Sequence, residues 1–155
     1  MRFYFWLFLF FPSFSNIQSE PTGANKKRDE LLLTAEKFLG LKYKSKVSKN
    51  IFDCSGYVRF IMAGIGINIT RSSVSQIHDG KRVKDVKNTR PGDILVFKGR
   101  NHRNNRPGHV GLAHHWSNDT LYFIHSSVSS GIRIDHLKET YYSKRFLQVR
   151  DVIGD

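Results

Sequence analysis

The pattern of apolar residues changes once along this chain, and that change limits the possible folds more than any other feature. In the first half, apolar residues recur at helical spacing, whereas from residue 90 onward they form short runs separated by turn-forming residues. Helices followed by antiparallel strands are typical of an α+β fold. We therefore expect one domain with N-terminal helices packed on an antiparallel sheet of about five strands.

Three helices are predicted in the first half. The first spans residues 26–39, and its expected core residues are Leu31, Leu32, Ala35, Phe38 and Leu39. The second opens at Cys54 and continues to about residue 63, where glycines break the pattern. The third is a short helix over residues 73–77, with Ser72 or Ser73 as its N-cap.

The second half predicts strands joined by tight turns. The apolar runs lie at residues 94–97, 109–116, 121–125, 131–134 and 147–153. Residues 117–119 have the composition of a hairpin turn between the second and third of these runs. One helical turn is expected at residues 139–142, and a basic connector precedes the first strand.

The first residues indicate export. Arg2 precedes an apolar run at residues 3–11 that is too short to span a bilayer, and the small residues at 13–15 offer a cleavage pattern. We interpret residues 1–15 as a signal peptide, residues 16–27 as a linker and residues 28–155 as the catalytic domain. An uncleaved anchor is the alternative; otherwise we expect a secreted or periplasmic protein without stable membrane insertion.

The net charge predicts the class of partner. Lys and Arg number 25 against 13 Asp and Glu, which gives a formal charge of +12. Such a charge attracts polyanions, among them nucleic acid, anionic lipid and acidic cell-wall polymers. The basic loop at residues 99–107 lacks the aromatic residues that stack on bases, so no nucleic-acid partner is expected.

The histidines do not predict a metal site. The chain has seven, but none of them forms a spaced ligand motif such as H-E-x-x-H, and neither a metal nor an organic cofactor is expected. His114 and His115 are neighbours in a predicted strand. They should therefore point to opposite faces of the sheet and cannot both line one site.

Cys54 is the only cysteine and lies where a polar loop meets an apolar helix. Asp53 is a good N-cap, which places the sulfur at a helix start, where amides and the helix dipole favour a thiolate and could hold an oxyanion. The nearby carboxylate of Asp53 has the opposite effect, so a partner base is needed. The alternative is a small buried hydrophobic residue without chemistry.

His109 and His125 are the candidate partners of this thiol. His109 begins one predicted strand and His125 ends the strand paired with it, so a hairpin could bring both imidazoles to one edge of the sheet. The sequence leaves the hairpin register open. Tyr43, in the loop before the cysteine, could pack under the helix or face the thiol as a second oxyanion donor.

Five motifs in order resemble the NlpC/P60 family of cell-wall cysteine peptidases, and together they extend from about residue 31 to residue 153. They read Asp-Cys-Ser-Gly-Tyr-Val from residue 53, Arg-Ser-Ser from residue 71 with Gln76, Arg-Pro-Gly-Asp-Ile-Leu-Val-Phe from residue 90, Gly-His-Val-Gly from residue 108 and Phe-Ile-His-Ser-Ser from residue 123. The resemblance implies a papain-like α+β fold that cleaves peptidoglycan stem peptides, typically at a γ-D-glutamyl bond.

The resemblance also implies roles for individual residues. Cys54 would be the nucleophile, His109 the base and His125 the residue that orients it. The residues expected to bind substrate or the oxyanion are Tyr43, Asp53, Ser55, Arg71 and Ser72. The chain departs from the family pattern at Lys44-Ser45, where two glycines are usual, and at Thr70, where proline is usual.

Two functions from different classes follow. The first is a secreted cysteine endopeptidase or amidase that hydrolyses peptidoglycan or muropeptides through a thiol, two histidines and an acyl-enzyme. The alternative is a catalytically inactive, basic protein that binds the cell wall or another polyanion with the same fold.

Overall fold

The computed structural model describes residues 22–155, so the predicted signal peptide and the first half of the predicted linker lie outside the described residues. The helices are α1 (Gly23–Glu36), α2 (Cys54–Gly64), α3 (Ser73–Gln76) and α4 (Thr140–Ser143). The strands are β1 (Lys46–Val47), β2 (Asn50–Ile51), β3 (Lys81–Val83), β4 (Ile94–Lys98), β5 (Pro107–Ser117), β6 (Thr120–Ser127), β7 (Gly131–His136) and β8 (Phe146–Asp151). Helices precede most of the sheet, and the α+β prediction is confirmed.

The main sheet has six strands in the order β3-β8-β4-β5-β6-β7, and every neighbouring pair is antiparallel. The sixth is β3, which lies in the segment predicted as a basic connector. Its sequence, Lys81-Arg82-Val83, has one apolar residue because it is an exposed edge strand, where charged side chains are common. A separate ribbon, β1 with β2, lies in the loop before Cys54.

Both faces of the sheet are buried. One face carries Val96, Val110, Leu112 and Ile124, which pack with α1 and α2 in the larger core cluster. The other face carries Leu95, Phe97 and Phe123 in a second cluster, which also includes Tyr142 of α4. A strand buried on both faces needs apolar residues at every position, which explains the continuous run in β4. Each large side chain buried in this way contributes about 1.5–3 kcal/mol.

Helix α1 is displaced toward the N-terminus relative to its prediction. It begins at Gly23, inside the predicted linker, because the Thr22 hydroxyl caps it by accepting a hydrogen bond from Asn25 N at 3.3 Å. It ends at Glu36 rather than Leu39. Leu31 and Ala35 are buried as expected, whereas Leu39 follows the helix and is 46% exposed, so its assignment to the core is wrong.

Arg28 ties α1 to the end of the chain. Its guanidinium is 3% exposed and forms ion pairs with Asp93 at 2.8 Å and Asp151 at 2.9 Å. It also donates to the backbone carbonyls of Pro91 and Gly154. Burial raises the pKa of the Asp93 carboxyl, although hydrogen bonds from Arg90 N and Arg28 oppose this rise. The ionic cluster therefore links the first helix to β4 and to the segment after β8.

The β5–β6 hairpin contains a β-bulge that was not predicted from the sequence. Asn118 and Asp119 form its turn with φ values of 46° and 53°, the left-handed conformation that a two-residue hairpin turn requires. The strand register shifts between Ala113 and His115. The extra residue turns His114 toward its neighbour, so the two Nδ1 atoms lie 2.7 Å apart. The prediction that His114 and His115 point to opposite faces is therefore wrong.

Candidate active site

The start of α2 presents Cys54. The Asp53 carboxylate accepts a hydrogen bond from Gly56 N at 2.7 Å, and this N-cap fixes where the helix begins. Gly56 has to be glycine, because a Cβ at this position would lie 2.1 Å from the carbonyl oxygen of Ile51. The chain before the helix therefore crosses very close to its first turn and shields it. The side chain of Cys54 is buried and forms no disulfide.

The thiol of Cys54 lies against β5. The backbone N–H groups of Val110, the residue after His109, of Ser55 and of Cys54 itself lie close to the sulfur and favour the thiolate. Burial nevertheless raises the pKa of the Cys54 thiol above its usual value, and the three amides lower it without overcoming burial. The helix start alone does not ionise this thiol, so its proton needs a base.

The four residues around the helix start form a polar clamp, defined here as Asp53, Ser55, Arg71 and Tyr43. Arg71 binds both carboxylate oxygens of Asp53, at 3.0 and 2.8 Å, and donates to the Ser55 hydroxyl at 3.0 Å. Burial alone would raise the pKa of the Asp53 carboxyl, but the hydrogen bonds from Arg71 and Gly56 lower it below its usual value. The clamp therefore holds an ionised carboxylate in a fixed orientation beside Cys54.

Tyr43 lies in a half-buried turn near Cys54, Asp53 and Arg71. Burial raises the pKa of its phenol, and the charges of the Cys54 thiolate and the Asp53 carboxylate act in the same direction. The phenol therefore keeps its proton and remains a hydrogen-bond donor.

Ser72 is not part of this clamp. Its hydroxyl caps α3 in a reciprocal pair with Ser75, the two oxygens lying 2.7 Å apart. Gln76 of α3 is fully buried and donates to the carbonyl of Ser55 at 3.1 Å, which fastens α3 to the start of α2. Ser72 thus supports the site through α3 rather than by contact with the thiol.

His109 of β5 and His125 of β6 are in direct contact. Nε2 of His109 lies 2.9 Å from Nδ1 of His125, and the two rings are perpendicular. Phe97 packs against His109 and Phe123 against His125, with ring centroids 5.9 and 4.9 Å apart respectively. These aromatic neighbours restrict the orientation of both imidazoles.

Asp135 of β7 contacts His125, so that Asp135, His125 and His109 form a row. It was not among the residues predicted from the sequence. Its carboxylate lies 2.9 Å from Nε2 of His125 and accepts a hydrogen bond from the Tyr142 hydroxyl at 2.8 Å. Burial alone would raise the pKa of the Asp135 carboxyl, but the hydrogen bonds from His125 and Tyr142 lower it to about 2. The sequence does contain a signal for Asp135, because apolar and polar residues alternate along β7. Ile132 and Ile134 lie on one face of the strand and Asp135 lies on the other.

This row of three residues fixes the histidine tautomers. The Asp135 carboxylate can only accept, so Nε2 of His125 carries a hydrogen and its Nδ1 has a lone pair. That lone pair accepts from Nε2 of His109. The remaining nitrogen, Nδ1 of His109, is therefore the unprotonated one. Burial first, and second the repulsion that a protonated His109 would meet from a protonated His125, lower the pKa of His109 to about 3, so its imidazole is neutral near pH 7.

Within residues 22–155, no group of three or more His, Cys, Asp or Glu side chains could hold a metal ion. In the same part of the chain, no helix combines the length and the apolar character that a bilayer span requires.

Comparisons with known proteins place this geometry in a family. The sequence matches the NlpC/P60 family over residues 40–151. It is 34% identical over 117 residues to the murein DD-endopeptidase MepS/murein LD-carboxypeptidase of Escherichia coli K12, covering 74% of this chain and 57% of that protein. It is 29% identical over 146 residues to the gamma-DL-glutamyl hydrolase of Bacillus subtilis strain 168, covering 89% of this chain and 33% of that protein.

The fold agrees with these sequence matches. The crystal structure of an NlpC/P60 family protein from Bacillus cereus ATCC 10987 superposes with a TM-score of 0.69 at 26% identity, covering 82% of this chain and 40% of that one. The chain spans 57% and 33% of the lengths of the two curated relatives. The matched segment contains the thiol, both histidines and the polar clamp, and the chain belongs to the NlpC/P60 family.

Proposed function

We propose that this chain is a secreted or periplasmic cysteine peptidase that hydrolyses peptidoglycan stem peptides, at a γ-D-glutamyl–diamino acid bond. The observation that carries the proposal is the hydrogen-bonded row Asp135–His125–His109, which leaves Nδ1 of His109 unprotonated on the strand against which Cys54 packs. The relatives, a murein endopeptidase and a gamma-DL-glutamyl hydrolase, support the substrate class.

In the proposed reaction, Nδ1 of His109 takes the proton of the Cys54 thiol as the sulfur attacks the amide carbonyl carbon. The carbonyl oxygen becomes an oxyanion, which the Cys54 N–H and the Tyr43 hydroxyl stabilise. The carbon–nitrogen bond breaks, and His109 gives its proton to the leaving amine. A thioester to Cys54 remains. Water then attacks it with His109 as base, which releases the carboxylic acid and restores the thiol.

His125 and Asp135 act through His109. As His109 takes the thiol proton it becomes an imidazolium, and its Nε2–H donates to Nδ1 of His125. The Asp135 carboxylate at the end of the row stabilises that positive charge and holds His125 in the required tautomer. In this proposal Cys54 and His109 are catalytic residues, whereas His125 and Asp135 are positioning residues.

The polar clamp would bind the acyl side of the substrate. Asp53, Ser55 and Arg71 lie around the start of α2, and their orientation is fixed by mutual hydrogen bonds. A free amine of a stem peptide would be held by the ionised Asp53. Ser72 would contribute through the position of α3.

The decisive experiment uses purified protein and a defined muropeptide mixture, with products identified by mass spectrometry. We expect Cys54→Ala and His109→Ala to abolish cleavage, and His102→Ala, on an exposed loop, to leave it unchanged. Cleavage that persists in either of the first two variants would end the assignment. The masses of the products identify the bond.

Thiol reactivity separates this proposal from the inactive, polyanion-binding alternative. If His109 takes the thiol proton, iodoacetamide should modify Cys54 at pH 6–7, and His109→Ala should slow the reaction about tenfold. A thiol whose pKa is raised by burial, without a base, would react slowly in both proteins. Equal rates would favour the alternative.

A further inference from the structure

A groove of about 620 Å³ opens in front of His109 and His125, the two histidines of the row that ends at Asp135. His109 and His125 form one wall of the groove, the loop after β4 forms a second, and α4 with Arg145 forms a third. The polar clamp is not part of its lining. The groove is therefore a surface separate from the one that Asp53 and Arg71 form.

The groove is basic. Its lining includes four cationic residues, Lys98, Arg100, Arg133 and Arg145, and two acidic residues, Asp135 and Glu139. Asp135 is already engaged by His125, by Tyr142 and by an ion pair with Arg133. Positive charge is thus in excess in a concave surface, where it attracts anionic ligands more strongly than on a flat one.

Arg145 is held in place by contacts of its side chain and of its backbone. Its guanidinium stacks on the ring of Tyr141 at 3.8 Å, and Nη1 donates to the Tyr141 carbonyl at 3.1 Å. Its backbone is held as well, since Lys98 N donates to the Arg145 carbonyl at 2.7 Å. Its Nε is buried and has no acceptor among residues 22–155. A fixed guanidinium with donors to spare suits a carboxylate, which it can bind through two parallel hydrogen bonds.

We propose that this groove binds the leaving-group side of the substrate through its free carboxylates, with Arg145 as the principal contact and Arg100 and Arg133 as secondary ones. The inference rests on the proposed function, because His109 must protonate the leaving amine and therefore faces that half of the substrate. The preferred substrate is accordingly a peptide whose amine-side residue carries a free carboxylate rather than a carboxamide.

The test uses two synthetic γ-glutamyl peptides that differ only in the leaving residue, which ends in a carboxylate in one and in a carboxamide in the other. We expect wild-type protein to favour the carboxylate about tenfold in kcat/KM. Arg145→Gln should bring that ratio close to one, mainly through KM. Arg82→Gln, on the exposed edge strand β3, should keep the wild-type ratio. Because each ratio is taken within one protein, incomplete folding does not alter it.

Calorimetry on the Cys54→Ala protein, with the carboxylate leaving-group peptide as ligand, provides a second measurement that needs no turnover. Binding that weakens in Cys54→Ala/Arg145→Gln and with added salt supports the groove even if the wild-type protein cleaves nothing, in which case only the proposed function fails. Cleavage that depends on Cys54 but shows no carboxylate preference overturns the groove and leaves the peptidase standing.

Discussion

His109 is partly buried and has to be neutral in order to accept a proton. Desolvation first, and second the repulsion between two protonated rings, His109 and His125, lower the pKa of this imidazole to about 3. In the unfolded chain the same group takes up a proton near its usual pKa of about 6.5. The unfolded state therefore binds more protons between these two values. The contribution of His109 to stability is fully present above pH ~6.5 and is lost as the pH falls toward 3.

We predict that His109→Gln flattens the pH dependence of the free energy of unfolding. Urea denaturation at pH 4, 5, 6 and 7 should show a wild-type slope that includes up to about 1.4 kcal/mol per pH unit from this single residue. The His109→Gln variant should lack this contribution to the slope. His102→Gln, at an exposed position, serves as control and should keep the wild-type slope. Identical slopes in all three proteins would contradict the burial of a neutral His109.

Individual residues were predictable where their neighbours in the chain supplied a local signal. Cys54 follows an N-cap, His109 begins a predicted strand and His125 ends one, so all three could be selected from the sequence alone. Asp135 and Tyr142 could not, because their role depends on which residues of β6 and β7 face each other. In the structure His125 pairs with Arg133, and only this register places the Asp135 carboxylate beside the imidazole.

At the scale of elements, Asp53 at the start of α2 caps the helix and, in the proposed function, also binds substrate. We predict that Asp53→Ala lowers the free energy of unfolding by about 1 kcal/mol, because the cap of α2 is lost. Asp53→Asn should retain the cap and most of the stability. Both variants remove the ion pair with Arg71, so both should raise KM for muropeptides. A normal KM in Asp53→Asn would show that the carboxylate charge has no part in binding.

The close contact between β5 and β6 leads to a second prediction at this scale. A Cβ on Gly111 would lie 2.9 Å from the Phe123 ring and 3.0 Å from the His125 Cβ. Gly111→Ala should therefore shift His125 away from His109 and lower kcat/KM about 100-fold. Gly64→Ala is the matched control, since a Cβ there has no heavy atom within 4 Å. If both variants are fully active, the position of His125 does not limit the reaction.

Elements with a strong apolar pattern were predictable, and the others were not. Helix α2 and strands β4–β8 have continuous or periodic apolar residues, and each was identified within a few residues. Strand β3 and the β1–β2 ribbon lack that pattern, because they are exposed and are held by backbone pairing. The bulge that joins His114 to His115 has no sequence signature, since it adds one residue to an otherwise regular strand.

For the whole molecule, the Arg28 cluster joins the first helix to β4 and the last segment, which the sequence reasoning did not foresee. We predict that Arg28→Ala lowers the free energy of unfolding by about 3–5 kcal/mol, because Asp93 would remain buried without its cation. Lys27→Ala, one residue earlier and exposed, should change it by less than about 0.5 kcal/mol. Guanidinium denaturation measures both. A small effect of Arg28→Ala would mean that water or another cation replaces it.

The register of the β5–β6 hairpin also determines where the molecule can be modified. The Asp135–His125–His109 row crosses the strands at His125, whereas Asn118 and Asp119 close the hairpin at its other end. Thr120 and His125 are five residue steps apart along an extended strand, a span of about 17 Å. A fluorophore, an affinity tag or a tether to a solid support spliced into this turn would therefore stay clear of the chemistry, and the immobilised protein should retain its turnover.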